Sequence, residues 1–307
     1  MKNSFSVRVP ASTSNLGAGF DTLSAALTLH LRVQVAPLEG DRIEWVDPQG
    51  SPLPFPEKEN LADRALRDTL ALLGTPIPGL RIVMDSPIPP ARGLGSSAAA
   101  ILAGVKIAEE LGGLRLDAGQ VFRIAYPLEG HPDNLAASLL GGWVLSWVED
   151  GVMRAERLSS AVSCRFAVAV PEVRVSTKEA REILPARFSL EDATFNLQRC
   201  ALLVHALGSG RKDLLRQATQ DRLHQSFRGR LVPGMAELLN REGLPEPLSG
   251  NLLGITISGS GSTCLALADN HCGEIGQWMV DVFASRGTAA SWQVLDLDTE
   301  GARIIRD

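Results

Sequence analysis

The chain has 307 residues, of which 45% are hydrophobic and 21% charged, and its formal net charge is −5 at pH 7. A chain of this length can bury a full core and is long enough for two domains. The acidic balance, and the lack of a Lys/Arg block interleaved with aromatic residues, argue against nucleic acid as a partner. Small charged ligands are compatible with this composition.

The cysteines and the N-terminal residues indicate an ordinary intracellular chain. Cys164, Cys200, Cys264 and Cys272 show neither CxxC pairing nor a histidine at metal-ligand spacing, so we interpret them as small hydrophobic residues in a reducing compartment. The first residues lack an apolar signal core, and the longest apolar run, around residues 98–102, is far shorter than a membrane span. We therefore expect a cytoplasmic protein with no membrane partner.

Hydrophobic patterning in the first half predicts both strands and helices. Phe5, Val7 and Val9 alternate with other residues as one face of a strand, and residues 29–35 repeat this period. Asn60 is a candidate N-cap for a helix that reaches Leu73. The elements predicted next are a strand at 80–84, helices at 96–111 and 117–126, and a strand at 143–148.

The second half has the same mixed character. It predicts strands at 166–170, 254–257, 263–268 and 292–297, and helices at 177–184, 190–207, 213–223, 233–240 and 273–284. Strands and helices mixed in this order indicate an α+β fold in both halves. We place the domain boundary near the turn at 149–151 and divide the chain into residues 1–160 and 161–307.

The segment PPARGLGSSAAA, residues 89–100, satisfies the dinucleotide pattern GxGxxA. A dinucleotide site needs the glycines directly after a strand, whereas DSPIPPAR separates them here, and a Walker A loop would need GK[ST]. Glycines nevertheless let backbone amides approach an anion, and Ser96 and Ser97 add hydroxyls at the start of a long helix. The segment alone fits equally well a phosphate site or a plain glycine turn capped by serine.

Two further segments change that balance: SGSGST, residues 258–263, and PASTSNLGAGFDT, residues 10–22, which is predicted as a loop after the first strand. The three segments in this order resemble the signature set of the galactokinase, homoserine kinase, mevalonate kinase and phosphomevalonate kinase superfamily. Within it, VPASTSNLGAGFD, EGHPDNLAASLLGG, VSTKEAREILP, RGRLVPG and LDTEGARI resemble the homoserine kinase family from end to end. The resemblance implies an N-terminal domain like the second domain of ribosomal protein S5, a ferredoxin-like C-terminal domain, and a site between them.

The resemblance also implies an activity: transfer of the γ-phosphoryl group of ATP to the side-chain hydroxyl of L-homoserine, for threonine biosynthesis. A guanidinium fork suits the substrate carboxylate, and the family's substrate arginines map onto Arg181 and Arg230. Asp21 is implied for the ammonium group, and Thr177 for capping and orienting the helix of Arg181. The implied substrate residues are Asn15, Asp21, His131, Thr177, Arg181 and Arg230. Taken singly, these residues also fit turn, cap, core or solvated positions.

For the nucleotide, the resemblance implies a phosphate site with magnesium. Ser97 and Glu129 are implied as Mg²⁺ ligands, because Mg²⁺ prefers hard oxygen donors. Glu129 also fits a surface loop, Asn60 a plain helix cap, and Arg92 a residue packed over the prolines. The implied nucleotide residues are Pro90, Ala91, Arg92, Gly93, Leu94, Gly95, Ser96, Ser97, Asn60, Gly259 and Gly261.

Catalysis is expected without a strong base, since phosphoryl transfer depends mainly on alignment and charge stabilisation. Asn134 and Asn15 are the candidate catalytic residues, and Asp133 is the alternative, as a general base with a raised pKa. Another small-molecule kinase of the superfamily and a non-catalytic ligand sensor are the competing functions. The resemblance implies a homodimer.

Overall fold

The structure is a computed structural model that describes residues 4–54, 56 and 59–306. Its strands are β1 (Phe5–Asn15), β2 (Gly19–Pro37), β3 (Ile43–Val46), β4 (Leu80–Asp85), β5 (Trp143–Glu149), β6 (Val152–Leu158), β7 (Arg165–Pro171), β8 (Leu252–Ile257), β9 (Cys264–Ala268), β10 (Ala290–Leu295) and β11 (Arg303–Ile305). Its helices are α1 (Leu61–Leu72), α2 (Ser96–Gly112), α3 (Ala118–Glu129), α4 (Pro132–Leu140), α5 (Thr177–Glu182), α6 (Leu190–Ser209), α7 (Lys212–Ala218), α8 (Gln225–Arg228), α9 (Met235–Leu239), α10 (Glu246–Ser249) and α11 (Cys272–Ser285), with a 3-10 turn at Gly229–Leu231. None of the helices described is both long enough and apolar enough to span a bilayer.

The described strands form two sheets, and this fold is α+β. The larger sheet has the order β11-β1-β2-β4-β3, with β5 pairing with β2 and β6 with β5. Helix α2 packs against β1 and against helices α1, α3 and α4, and its apolar residues lie in the core on most sides. The smaller sheet is antiparallel, in the order β10-β7-β9-β8, and α11 packs on it.

The predicted loop at 10–22 is wrong for most of its length. Strand β1 continues to Asn15, where Thr13 pairs with Ala25 and Ser14 with Ser24 of β2, so residues 16–18 alone make the turn. Ser12 and Thr13 are polar yet completely buried. The alternation that marked the first strand therefore disappears just where β1 becomes buried on both faces.

Helix α4 was not predicted, since its first turn begins with His131 and Pro132, a sequence typical of a loop. The helix predicted at 213–223 ends at Ala218, because Asp221 accepts hydrogen bonds from successive backbone N–H groups and folds residues 221–225 into a turn. Strand β11 pairs with β1, so the end of the chain returns to the larger sheet. The division of the chain at 160/161 stays a prediction. Strand β11 belongs to the second part of the chain but pairs with a strand of the first.

Candidate active site

The loop between β4 and α2 is built for close approach of a ligand to the backbone. Ala91, Gly93 and Gly95 have φ angles of 53°, 78° and 70°. A Cβ added at Gly95 would lie 2.1 Å from Ser12 Oγ, and one at Gly93 would lie 2.0 Å from the carbonyl oxygen of Ser258. Gly95 is the N-cap of α2 and offers no side-chain hydrogen bond. The N-terminal dipole and amides of a long helix thus lie beside a loop that has no room for a side chain at positions 93 and 95, which suits an anion.

The three sequence segments meet in space. Ser258 Oγ lies 2.6 Å from the carbonyl oxygen of Gly93 and 2.8 Å from Thr13 Oγ1. The backbone N–H of Thr263 donates to the carbonyl of Arg92, and that of Gly259 to Ser14. The turn at 258–263 therefore holds the loop between β4 and α2 against β1.

Ser97 and Glu129 are brought together as a pair. Ser97 Oγ donates to Glu129 Oε1 at 2.9 Å, and Glu129 is the last residue of α3. Burial raises the pKa of Glu129 from 4.5 to about 7, although the hydrogen bond from Ser97 opposes this shift. Glu129 is thus a largely buried carboxyl whose charged form a cation would stabilise, and not a residue of a surface loop.

The pair fits a magnesium ion that takes some of its ligands from the protein and the others from phosphate groups. A hydroxyl and a carboxylate are hard oxygen donors, and Mg²⁺ in kinases commonly takes one or two protein ligands together with substrate phosphates. Within the described residues, no group of three or more His, Cys, Asp and Glu side chains could hold a metal ion without such help. The donor set at Ser97 and Glu129 agrees with this division of ligands.

A charged cluster lies at the other end of the cavity. Arg181 Nη2 is 2.6 Å from Asp21 Oδ1, and Arg181 Nε donates to His131 Nε2 at 2.8 Å. His131 is therefore unprotonated at Nε2, and burial together with Arg181 lowers its pKa. The predicted ammonium and carboxylate partners are paired with each other in this structure.

Helix α5 carries Arg181, and its cap differs from the prediction. Ser176 is the N-cap, and it forms a capping box with Glu179. Thr177 is the first helical residue and lines the cavity. The prediction that Thr177 caps this helix is wrong, because the acidic residue at the third helical position selects Ser176 as its partner.

Arg228, which was not predicted from the sequence, lines the cavity in the place expected of Arg230. Arg228 is buried, donates from Nε to the carbonyl of Ala180 at 3.1 Å and from Nη1 to that of Gly259 at 2.9 Å, and lines the cavity. Burial, with repulsion from Arg181, lowers the pKa of Arg228 to about 10.

Arg230 is not brought to the cavity. Its side chain is exposed, and its guanidinium lies 5.6 Å from the ring centroid of Phe227. The structure therefore corrects the position of the second arginine from 230 to 228. The motif RGR holds both residues, and their spacing of two directs them to different sides of a helical turn.

The candidate catalytic asparagines are held by the scaffold. Asn15 Oδ1 accepts from the backbone of Asp21 at 3.0 Å and Nδ2 donates to the carbonyl of Gly259 at 2.9 Å. Asn134 Oδ1 accepts from Ser12 Oγ at 2.9 Å and Nδ2 donates to Ser14 Oγ at 3.1 Å. Both amide groups are thus fixed in orientation at the wall of the cavity.

Asp133 lies beside them in the first turn of α4. The side chain is buried, and Oδ1 accepts from the backbone N–H of Asn134 at 2.7 Å. Burial and the nearby charge of Asp21 raise its pKa from 3.8 to about 6. A carboxyl group with this pKa can exchange a proton near neutral pH.

One cavity of about 440 Å³ contains both ends of the site. Asn60 caps α1 through hydrogen bonds from the backbone of Ala62 and Asp63, and it also lines this cavity. The predicted residues that line it are Asn15, Asp21, Asn60, Pro90, Ala91, Arg92, Gly93, Leu94, Gly95, Ser96, Ser97, Glu129, His131, Asn134, Thr177, Arg181 and Gly259. Gly261 does not line it, since the turn presents Gly259 and Ser260 instead.

Chemically, the cavity joins an anion site to a site for opposite charges. The N-terminus of α2, with Ser97 and Glu129, can hold phosphates and a hard cation. Asp21, Arg181 and Arg228 offer one carboxylate and two guanidinium groups, a set that matches an amino-acid zwitterion. The groups that could bind a phosphoryl donor and those that could bind a small zwitterionic acceptor therefore line the same cavity.

Comparisons with known proteins agree with this geometry. Residues 60–142 match the family model for the GHMP kinases N terminal domain. The homoserine kinase of Desulfitobacterium hafniense is 39% identical over 300 residues, covering 97% of this chain and 99% of the relative. The homoserine kinase of Streptomyces coelicolor is 42% identical, covering 97% and 94%.

Solved structures extend the likeness to the whole fold. The crystal structure of homoserine kinase from Cytophaga hutchinsonii has a TM-score of 0.86 and 28% identity, covering 99% of this chain and 98% of that one. A crystal structure of mevalonate kinase has a TM-score of 0.70 at 16% identity, which shows a shared fold. With the expected loops assembled around one cavity, and with relatives above 30% identity along nearly all of its length, the chain belongs to the homoserine kinase family.

Proposed function

We propose that this protein transfers the γ-phosphoryl group of ATP to the side-chain hydroxyl of L-homoserine, giving ADP and O-phospho-L-homoserine. The observation that carries this proposal is a single cavity with a glycine-built helix N-terminus at one end and Asp21, Arg181 and Arg228 at the other. Other superfamily substrates such as mevalonate lack the ammonium group that Asp21 would bind. Threonine biosynthesis is the pathway implied for the product.

The ATP phosphates would bind to the backbone amides of residues 93–97, where the loop and the dipole of α2 favour negative charge. Asn60 lines the same cavity and is proposed to lie near the adenine while it caps α1. Ser97 and Glu129 would hold Mg²⁺, which would neutralise charge on the β- and γ-phosphate oxygens. Arg92 donates to the carbonyl of Glu172 at 2.8 Å, so phosphate would have to compete for that guanidinium.

The acceptor would bind by an exchange of partners. Asp21 and Arg181 form an ion pair at 2.6 Å, with each side chain about one-third exposed. The homoserine ammonium would take over Asp21, and its carboxylate would take over Arg181 and the remaining N–H groups of Arg228. Because each protein charge keeps an opposite charge as its partner, the exchange leaves no charge uncompensated.

For the transfer itself we propose alignment by fixed amide groups. The side chains of Asn134 and Asn15 are held in place by hydrogen bonds to the scaffold, so they could orient the acceptor hydroxyl with little loss of entropy. The transition state of phosphoryl transfer is loose, and it needs no strong base. Asp133, with its raised pKa, is the alternative proton acceptor.

The test is ADP release from ATP and Mg²⁺ with L-homoserine, L-threonine, L-serine, mevalonate or no acceptor. Arg181→Ala should abolish turnover with L-homoserine, because it removes the carboxylate partner. Lys178→Ala is the matched control, since Lys178 is an exposed cation on the same helix, 3.8 Å from Glu182. Turnover with mevalonate would reject the substrate, and ADP release from none of the acceptors would favour a ligand sensor.

We also propose that the protein is a cytoplasmic homodimer, as the resemblance to the family implies. Sedimentation equilibrium should give a mass twice that of the 32.8 kDa chain. Fractionation of cells should recover the protein with the cytosol. A mass of one chain across the micromolar range would reject the dimer.

A further inference from the structure

A second cavity of about 650 Å³ has a lining different from that of the candidate active site. It is formed between the end of α7, the turn at 219–226 and the residues around α9. No described residue lines both cavities. Thr219 lines the second cavity and packs against the turn after β1, since its carbonyl oxygen would lie 2.0 Å from a Cβ added at Gly17.

The charged residues of this second cavity differ in whether the protein supplies partners for their charges. Asp221 is the acidic residue that lines it, and its two oxygens already accept four hydrogen bonds, from Asn196 and from the backbone of residues 223–225. Arg222 also lines it, but lies 3.0 and 3.6 Å from two carboxylates of α6. The charge of Arg222 is therefore balanced by carboxylates, whereas the charge of Asp221 is stabilised by hydrogen bonds from neutral groups that occupy both of its oxygens.

Arg216 and Arg241 differ from these two. Among the described residues, no carboxylate lies within 4.0 Å of either guanidinium, and the side chain of Arg216, which is exposed, has no protein hydrogen-bond partner. Arg241 is half-buried, with one bond from Nη1 to the carbonyl of Leu252 at 3.2 Å. Burial and repulsion from Arg216 lower the pKa of Arg241 to about 10.

Arg216 and Arg241 line one cavity, and the carboxylate of Asp221 contacts neither guanidinium, so an oxyanion bound between the two arginines would stabilise both charges. Their N–H groups suit the paired oxygens of phosphate or carboxylate. Gln220 and Ser226 line the same cavity and can hydrogen-bond the rest of a small polar molecule. We propose that this cavity is a second ligand site, which binds a small oxyanion through Arg216 and Arg241.

The test is calorimetric titration of the full chain with inorganic phosphate and, separately, with malonate, at constant ionic strength. Arg216→Gln should weaken binding in the second cavity roughly tenfold or more, since it removes a charge-assisted contact. Arg211→Gln is the control, because Arg211 lies at the start of the same helix but is paired with Asp213 at 2.7 Å. Arg216→Lys keeps the charge and should retain part of the binding.

The loop between β4 and α2 in the first cavity also suits phosphate, so phosphate could bind to the protein at both cavities. The comparison among variants identifies the binding that belongs to the second cavity. A binding event lost in Arg216→Gln and kept in Arg211→Gln supports the site. Loss with phosphate alone identifies a phosphate group as the ligand, and loss with malonate alone identifies a carboxylate. Isotherms that are the same for the unchanged protein and Arg216→Gln, or equal losses in both variants, would overturn the proposal. No ATP or homoserine is used, so the result is independent of the proposed activity.

Discussion

Arg228→Gln should raise the KM for L-homoserine while Arg230→Gln leaves it nearly unchanged. Arg228 is 3% exposed, and its Nε and Nη1 are bound to the carbonyls of Ala180 and Gly259, so the guanidinium is fixed with its remaining N–H groups at the cavity. Arg230 is exposed and contacts the ring of Phe227. The two variants remove the same charge from positions two residues apart.

The expected size of the effect follows from the bonds involved. A hydrogen bond to a charged group contributes roughly 1.5–3 kcal/mol, which corresponds to a KM increase of roughly ten- to a hundredfold for Arg228→Gln. The effect on kcat should be smaller, since Arg228 would bind the acceptor and not the phosphoryl group. For Arg230→Gln we expect a change of about twofold or less, because an exposed cation–π contact is weak.

The assay is ADP release as a function of L-homoserine concentration at saturating ATP and Mg²⁺. Thermal unfolding of both variants controls for folding, because Arg228 also holds two backbone carbonyls. Arg228→Lys keeps the charge but lacks the fork, so its KM should lie between those of the unchanged protein and Arg228→Gln. A larger KM for Arg230→Gln than for Arg228→Gln would refute the reasoning and restore the prediction from sequence.

Three other predictions concern the site's carboxyl groups and its glycines. At limiting Mg²⁺, kcat/KM for ATP should fall as the pH drops from about 8 to about 6, because Glu129, whose pKa is raised to about 7, becomes protonated. Glu129→Gln should be less active and should lack this fall with pH. A fall that is unchanged in Glu129→Gln would reject Glu129 as a Mg²⁺ ligand. For Asp133, the folded-state pKa is raised from 3.8 to about 6, so the stability that it contributes is present at low pH and lost as the pH rises through about 6. Urea unfolding without nucleotide should therefore show the unchanged protein losing up to roughly 3 kcal/mol relative to Asp133→Asn between about pH 4 and pH 6, and parallel curves would contradict this. Gly95→Ala should weaken ATP binding at least about tenfold, because its Cβ would meet Ser12 Oγ at 2.1 Å. Gly113 is the control: it is also left-handed, at φ 63°, but lies in open space, so Gly113→Ala should cost only about 1 kcal/mol of stability and keep the ATP affinity. Equal ATP affinities in the two variants would count against the loop as a phosphate site.

Local chemistry made much of the architecture predictable. Gly95, Ser96 and the apolar residues that follow predict a buried helix with an open N-terminus, and Asn60 predicts the start of α1, because capping and glycine turns depend on neighbouring residues alone. The likeness of SGSGST and PASTSNLGAGFDT to family loops implied that both segments contribute to the same site. Ser97 and Glu129 were expected near each other as ligands of one Mg²⁺, as the resemblance to homoserine kinases implies.

The prediction from sequence was wrong where polar residues are buried in a strand. Residues 12–15 are polar and were predicted as part of a loop, yet they continue β1, paired with β2, and Ser12, Thr13 and Ser14 are buried. Their hydroxyl groups are satisfied by partners such as Asn134 and Ser258, far away in the chain. Periodicity cannot reveal a strand whose polar side chains are paired by tertiary contacts.

By itself, the sequence determined the α+β class, the long helix that follows the glycine-rich loop at residues 89–95, and the residue types around the cavity. Each of these depends on local propensity or on motifs. Only the tertiary structure decided that Arg228 and not Arg230 faces the cavity, because that depends on how a short helical turn packs on Ala180 and Gly259. It likewise decided that Asp21 is paired with Arg181, residues 160 positions apart in the chain. Direction of a side chain and compensation of charge are properties of neighbours in space, and those neighbours exist only once the chain has folded.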